Sequence, residues 1–180
     1  KLVKKYMNLS TVIIGIEDNK PQAIAKLQAA VADIEGASVK ALKAQYPQGG
    51  EKVLIYECTG KIVPEGKLPS DVGCVVMNVS SIAFVAKYMR TGMPLITKRL
   101  TVDGDAIAEP KNVEVAIGTS FSDVIDFCGG FKTEPKKIIM GGPMMGFAVP
   151  TINYPVLKNN NAILAFSAAK TAEAEKPETP

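Results

Sequence analysis

The strongest constraint on the fold is a short apolar run that leads at once into an amphipathic helical pattern. The run STVIIGIED (10–18) has the composition of a strand buried on both faces. The next segment (18–36) offers Asp18 or Asn19 as a cap, a proline suited to a first helical turn, one apolar stripe and a terminal glycine. An apolar strand followed directly by such a helix is typical of α/β proteins.

The same alternation continues to about residue 92. The patterns predict a strand, a short helix, a loop with two prolines, a second strongly apolar strand and a helix, over 37–47, 49–60, 61–71, 72–78 and 79–92. Strands that alternate with helices favour a mostly parallel sheet. We therefore predict a three-layer, Rossmann-like α/β unit over residues 1–94.

The character of the sequence changes near residue 94. Two strands, a helix and a further strand are predicted in order from PLITKRLTVDGD, AEPKNVEVAIG, SFSDVIDFCGG and PKKIIMGGPMMG. A hairpin followed by a helix and a strand predicts a small α+β, β-grasp-like module over residues 95–167. Residues 168–180 are rich in Ala, Glu, Lys, Pro and Thr without an apolar stripe, and predict a flexible linker or tail.

Composition excludes several classes of function. The net charge of +3 is too small to indicate nucleic-acid binding, and no apolar segment is long enough to cross a membrane. The chain has no histidine, which removes Ser-His-Asp chemistry and most catalytic zinc sites. The three cysteines are widely spaced and form no CxxC motif, so we expect structural thiols and no metal site. Chemistry here must depend on a cofactor, on carboxylates or on backbone groups.

The segment YPQGGEKVLIY (46–56) places two glycines at a predicted helix start. Gly49 and Gly50 would let a ligand approach the backbone, and the first amides of the helix favour an anion or an electron-rich ring edge. A loop that ends at the helix, with Glu51 favourable to the helix dipole, explains the same residues without a ligand.

The segment VMNVSS (76–81) is a second strand-to-helix turn. Asn78 can cap the helix. The first amides of the helix and the serine hydroxyls could hold a phosphate, although helix capping alone accounts for the same residues. The carboxyl ends of parallel strands lie at the same edge of a sheet, and ligands bind at this edge in α/β folds. The segment GGPMMG (141–146) lacks the spacing of a nucleotide-binding loop and predicts a tight turn.

Six segments, taken in order, resemble the C subunit of the Rnf complex family, an ion-translocating ferredoxin:NAD oxidoreductase. They are IEDNKPQAI, YPQGGEKVLIY, VGCVVMNVSS, PLITKRLTVDGDAIAEP, KKIIMGGPMMG and VLKNNNAILAF, and the resemblance runs from about residue 10 to 167. A more distant similarity is to the flavin-bearing, NADH-oxidising subunit of respiratory complex I. Its pattern Y-x-x-G-x-E-x-x-L-I is matched by Tyr46, Gly49, Glu51, Leu54 and Ile55.

The resemblance implies a site for FMN and NAD(H). Tyr46, Gly49 and Glu51 would line the flavin and nicotinamide side, where Gly50 replaces a second glutamate of the relative. An Asn-Val-x-Thr turn of the relative holds the flavin phosphate, and it is matched by Asn78 and Val79, with Ser81 in place of the threonine.

The resemblance also implies parts that lie outside these residues. A glycine-rich flavin loop is expected upstream and two [4Fe–4S] clusters downstream, so we expect this fragment alone to bind neither cofactor and to be inactive. No catalytic residue is assigned within it. The implied partners are NADH, other subunits of a membrane-bound electron-transport complex and, indirectly, ferredoxin or quinone-side proteins. The implied location is peripheral, on the cytoplasmic face of the bacterial inner membrane, with the fragment itself soluble.

Two alternatives remain open at this point. One is the A subunit of the sodium-pumping NADH:quinone reductase, which shares the fold and needs no clusters. The other is a non-enzymatic protein that binds a ligand or a partner through the β-grasp-like module, since residues 97–166 resemble a soluble-ligand-binding domain. Downstream cysteines would separate the first alternative from the Rnf family.

Overall fold

The computed structural model describes residues 1–174, which divide into two compact units between Gly92 and Met93. The first unit contains α1 (Leu2–Tyr6), β1 (Val12–Glu17), α2 (Pro21–Val31), β2 (Ala37–Leu42), α3 (Glu51–Thr59) and α4 (Val79–Thr91). The second unit contains β3 (Thr97–Asp103), β4 (Lys111–Ala116), α5 (Phe121–Phe127), β5 (Pro135–Met140), β6 (Phe147–Ala148), β7 (Ala162–Ser167) and α6 (Ala168–Ala174).

The sheet of the first unit has two parallel strands. β1 and β2 pair from Val12 opposite Ala37 to Glu17 opposite Leu42, and α2 connects them. A β-carbon placed on Gly15 would lie 2.7 Å from Leu54 and 3.2 Å from the Cys58 sulfur. The glycine therefore allows α3 to pack closely against β1.

The predicted third strand over 72–78 is wrong. A 3-10 turn covers Pro69–Val72, Gly73 adopts φ 69°, and the following residues are unpaired coil. Apolar composition shows that a segment suits a strand, but a strand also needs a neighbour to bond to. Within the described part of the chain, β1 pairs only with β2. The α/β class is confirmed, although this sheet has two strands.

Three further features differ from the predictions. β2 ends at Leu42 instead of residue 47, α2 ends at Val31 instead of at the glycine at 36, and α1 was not predicted. Neither candidate side chain caps α2, whose N-cap is Lys20. Instead, the Asp18 carboxylate accepts a hydrogen bond from the Ala44 amide at 3.2 Å, which ties the end of β1 to the segment after β2.

The second unit is an α+β module with a mixed five-stranded sheet. Its strand order is β4-β3-β7-β5-β6, with β3 parallel to β7 and the other pairs antiparallel. One face of α5 supplies Phe121, Val124 and Ile125, which are almost completely buried against Val102 and Ile163 of the sheet. The predicted elements omitted β7, which lies at the centre of this sheet.

The turn after β3 is held closely against β7. Gly104 has φ 115°, and a β-carbon there would lie 2.0 Å from the Ala165 carbonyl oxygen, which no other residue could accommodate without a backbone shift. The neighbouring Asp105 carboxylate accepts hydrogen bonds from the Ser167 amide and hydroxyl. These contacts fix the end of β7, where α6 begins.

The prediction of a flexible tail is wrong for residues 168–174, which form α6. This segment lacks an apolar stripe, but it is rich in alanine, which has a high intrinsic helix propensity. Thr171 is buried, and its hydroxyl donates to the Ser167 carbonyl oxygen at 2.8 Å. The remaining predicted tail, 175–180, lies outside the described residues.

Candidate functional site

The N-terminus of α3 has no side-chain cap. Gly50 is the N-cap residue in an extended conformation, and its carbonyl oxygen accepts the first helical bond from the Leu54 amide at 2.8 Å. The amides of Glu51, Lys52 and Val53 find no acceptor among the residues that the structure describes. Three unpaired N–H groups at the positive end of a helix dipole form a favourable place for an anion or a carbonyl oxygen.

Gly49 is not required by the protein's own structure. Its φ lies outside the left-handed region, and a β-carbon placed there would meet no atom within 4 Å. Gly50 is more constrained, since the same atom would lie 3.1 Å from the Pro47 carbonyl oxygen. A glycine that neither backbone conformation nor packing demands leaves open space beside the helix start, which a ligand could use.

Two side chains flank this glycine pair. Tyr46 is 81% exposed in the loop after β2, so most of its ring is available to contact another molecule. Glu51, the first residue of α3, is also exposed. The structure thus brings Tyr46, Gly49, Gly50 and Glu51 into one turn, as the sequence predicted from their adjacency.

Gln48 was missed by the sequence reasoning. Only 5% of this residue is exposed, and its side-chain Nε2 has no hydrogen-bond partner in the described structure. A buried amide donor without an acceptor is uncommon, because the group loses its hydration without replacing it. The sequence carries no signal for this burial, since glutamine in a Pro- and Gly-containing loop is usually exposed.

The N-terminus of α4 is capped by a side chain. The Asn78 Oδ1 atom accepts a hydrogen bond from the Ser80 amide at 2.8 Å, and the Asn78 carbonyl accepts from the Ile82 amide. The amides of Val79 and Ser81 have no acceptor within the described chain, and the first turn holds no acidic residue. Val79 is 63% exposed, so this helix start is open to an anion.

The two turns are separate sets of residues in this structure. One set is residues 46–51; the other contains Asn78, Val79 and Ser81, and no hydrogen bond or ion pair links them in the part of the chain that is described. The first turn follows a paired strand as predicted. The second follows the unpaired segment after Gly73, so the sheet formed by these residues does not position it.

Other sequence features are structural. Residues 141–146 form a turn closed by a 2.7 Å bond from the Gly146 amide to the Gly142 carbonyl oxygen, as predicted. All three cysteines are free thiols, and burial raises the pKa of Cys58 and of Cys128 above the ordinary value for a thiol. An elevated pKa disfavours the reactive thiolate.

Two kinds of site are absent from residues 1–174. The described Cys, Asp and Glu side chains include no group of three or more placed to hold a metal ion. No described helix combines the length and apolarity needed to cross a membrane. An open depression beside the start of α2 is lined by Lys20, Pro21 and Lys26, among others, and contains none of the predicted site residues.

Two family models match the chain in succession. The Nuo51 FMN-binding domain matches residues 1–87, and the SLBB domain matches residues 99–148. Both candidate turns lie within the first match. The second match lies within the unit that contains the five-stranded sheet.

Two curated relatives are similar over nearly the entire chain. The C subunit of the proton-translocating ferredoxin:NAD(+) oxidoreductase complex of Clostridium ljungdahlii is 48% identical over 169 residues, which is 93% of this chain and 36% of the relative. The C subunit of the Na(+)-translocating ferredoxin:NAD(+) oxidoreductase complex of Acetobacterium woodii is 46% identical over all 180 residues, or 40% of that protein. The chain therefore spans well under half the length of either relative.

A solved structure supports the fold independently. A chain of an NAD+-reducing [NiFe]-hydrogenase, determined in the H2-reduced state, superimposes with a TM-score of 0.77 at 17% identity, over 93% of this chain and 35% of that one. At this identity the likeness concerns the fold alone. The two curated relatives and the two domain matches show that this chain is homologous to part of the C subunits of ferredoxin:NAD(+) oxidoreductase complexes and contains the Nuo51 FMN-binding and SLBB domains.

Proposed function

We propose that this chain forms part of an FMN- and NAD(H)-binding site in an electron-transfer subunit. In the full-length protein, the reaction would be electron exchange between NAD(H) and ferredoxin. FMN, when bound, supplies the chemistry that links two-electron hydride transfer to single-electron transfer. The chain's own residues would bind and orient the reactants. The observation that carries the proposal is Gly49, a glycine with open space and no structural requirement, inside the FMN-binding domain match.

The N-terminus of α4 fits the FMN phosphate. The free amides of Val79 and Ser81 can donate to phosphate oxygens, and no first-turn carboxylate repels the charge. Asn78 uses its Oδ1 atom for the cap, which leaves its Nδ2 hydrogens available to the same anion. The exposed Ser81 side chain offers a further hydroxyl donor.

The turn before α3 fits the ring system and the nicotinamide. The space beside Gly49 admits a flat ring, and the exposed Tyr46 ring can pack against it. The Glu51 carboxylate can accept a hydrogen bond from an amide or a hydroxyl of the dinucleotide. Gly50 in place of a second glutamate removes one negative charge here, so Glu51 is the single carboxylate that we assign to the nicotinamide side.

The remaining parts of the pathway are proposed for regions that these residues do not include. The described residues hold no cysteine cluster, so the iron–sulfur clusters and the rest of the flavin site would come from other segments of the full-length protein. We propose that the 180-residue chain alone is inactive, and that the full-length subunit acts on the cytoplasmic face of the membrane with other subunits of a translocating complex. The names of both relatives, C subunits of a proton-translocating and a Na(+)-translocating ferredoxin:NAD(+) oxidoreductase complex, support the place in a translocating complex.

Two substitutions in the full-length protein test the assignment of the turns. Glu51→Gln preserves the side-chain shape and removes the charge, so flavin content should remain normal while NADH oxidation slows. Asn78→Ala removes a donor to the phosphate; one charge-assisted hydrogen bond is worth about 1.5–3 kcal/mol, so flavin affinity should fall about 10- to 150-fold. The measurements are flavin content per protein and NADH:ferricyanide activity.

Matched controls separate binding from folding. Glu57→Gln changes another exposed carboxylate on α3, and Ser120→Ala removes the cap of α5, whose hydroxyl accepts from the Asp123 amide at 3.1 Å. Both controls should retain flavin and activity. Loss of flavin from Glu51→Gln with retention in Asn78→Ala would reverse the two assignments. No change in either variant would leave only the capping roles.

A further inference from the structure

Gln48 is the buried residue of the turn before α3. Its neighbours at 45–47 and 49–50 are exposed, whereas only 5% of Gln48 is accessible. The other residues of the first unit that are buried to this extent are all apolar, namely Leu42, Ile55 and Val63. The turn therefore places a polar amide at a depth that this unit otherwise fills with apolar side chains.

The donor of this amide contributes nothing to the shape of the turn. Its Nε2 atom has no hydrogen-bond partner among the described residues. The backbone is fixed separately, because the Gln48 N–H donates to the Gln45 carbonyl oxygen and the Gly50 N–H donates to the Pro47 carbonyl oxygen, each at 2.8 Å. An apolar side chain of similar length would fill the same volume without a desolvated donor. The folding of the turn thus gives no reason for an amide at this position.

Open space lies directly beside this residue. A β-carbon placed on the adjacent Gly49 would meet no atom within 4 Å. Several rotatable bonds separate the Gln48 amide from its backbone, so the amide can turn toward this space while the turn keeps its backbone hydrogen bonds. Burial of a donor without an acceptor is unfavourable. A ligand that offers an acceptor beside Gly49 would therefore favour the outward rotamer.

We propose that Gln48 is a ligand-binding residue, which is held inside the turn in the free protein and rotates outward when a planar ring binds beside Gly49. Its Nε2 atom then donates a hydrogen bond to a carbonyl oxygen of that ring. The inference rests on the proposed function, which places the flavin or the nicotinamide in this space. Both carry a carbonyl acceptor next to an amide donor, and these groups match the Gln48 donor and the Glu51 acceptor.

Gln48→Met in the full-length subunit tests the proposal, with Gln45→Met as a matched control at an exposed position of the same turn. In the flavin-free protein, Gln48→Met should raise the melting temperature by about 4 °C or more, because it removes a buried donor that lacks an acceptor. Affinity for the ring that Gln48 contacts should fall about 5- to 150-fold, because the ring carbonyl loses its donor. Gln45→Met should change neither quantity.

Two titrations identify the ring. Weaker binding of FMN to Gln48→Met assigns the acceptor to the flavin. Weaker binding of NADH to the FMN-saturated protein, with unchanged FMN affinity, assigns it to the nicotinamide. In nuclear magnetic resonance spectra, the side-chain amide signal of Gln48, identified by its loss in Gln48→Met, should shift when that ligand is added to the wild-type protein.

Two results would overturn the inference. A lower melting temperature of flavin-free Gln48→Met would show that the amide is paired in the full-length subunit and has a structural role. Unchanged FMN and NADH affinities in Gln48→Met would exclude contact with either ring. If Gly49→Ala still weakens binding in that case, only the role of Gln48 is wrong. If Gly49→Ala also has no effect, the proposed function of this turn is wrong as well.

Discussion

Gly49→Ala separates a structural role of the glycine from a role in ligand binding. The added methyl group would meet no protein atom within 4 Å, and φ at this position lies outside the left-handed region. Replacing glycine by alanine at such a compatible site stabilises a protein by about 0.4–1 kcal/mol, because the unfolded chain loses freedom. For a unit of this size, that corresponds to a rise in melting temperature of about 2–8 °C.

The same methyl group would occupy space that we assign to the ligand. Insertion of a methyl group into a packed interface costs about 1–3 kcal/mol, so flavin or NADH affinity should fall about 5- to 150-fold in the full-length protein. Thermal unfolding monitored by circular dichroism measures the first effect, and flavin and NADH titrations measure the second. Unchanged titrations would refute the reasoning, because the open space would then have no bound occupant. A lower melting temperature would show that the glycine is structural.

Three further predictions concern other parts of the chain. Asn78→Asp should preserve the stability of α4, because Asp caps a helix as well as Asn does. It should nevertheless reduce flavin retention in the full-length protein below that of Asn78→Ala, because the added carboxylate repels the phosphate. Equal flavin retention in wild type and the Asp variant would contradict this prediction. Gly104→Ala should destabilise the second unit by more than about 3 kcal/mol in urea unfolding, whereas Gly118→Ala, with open space and φ 97°, should cost about 1 kcal/mol. Hydrogen bonds from Ser167 hold the pKa of Asp105 below its ordinary value of 3.8. The ionised carboxylate therefore stabilises the folded protein above pH 3.8, and this stabilisation is lost as pH falls through the lower pKa of the folded state. In urea unfolding between pH 5 and pH 2, about the range of this titration, Asp105→Asn should show a weaker loss of stability than wild type; identical profiles would contradict the role of the carboxylate.

Elements with strong local signals were predicted from the sequence. Pro21 begins α2, as predicted. The predicted helices over 49–60 and 79–92 end at Gly60 and Gly92, which cap α3 and α4 in the left-handed conformation. Ser120, which directly precedes α5, caps it by accepting a hydrogen bond from the Asp123 amide. These signals act within a few residues of the chain, so one sequence is sufficient to show them.

Features that depend on distant partners were not predictable in the same way. The segment 72–78 has the composition of a strand but no neighbour in the described residues, while β7 acquires its central position only through pairing with both β3 and β5. The residues of the candidate site also divide into those set by local sequence and those set by distant packing. Asn78 was predictable as a cap from its position, whereas the burial of Gln48 depends on packing that adjacent residues do not specify.

The most direct test of the account is a structure of the full-length subunit with FMN bound. The account predicts phosphate oxygens within hydrogen-bond distance of the Val79 and Ser81 amides, and the flavin ring beside Gly49. FMN bound away from both helix starts, with Asn78 serving only as the cap of α4, would contradict the central claim.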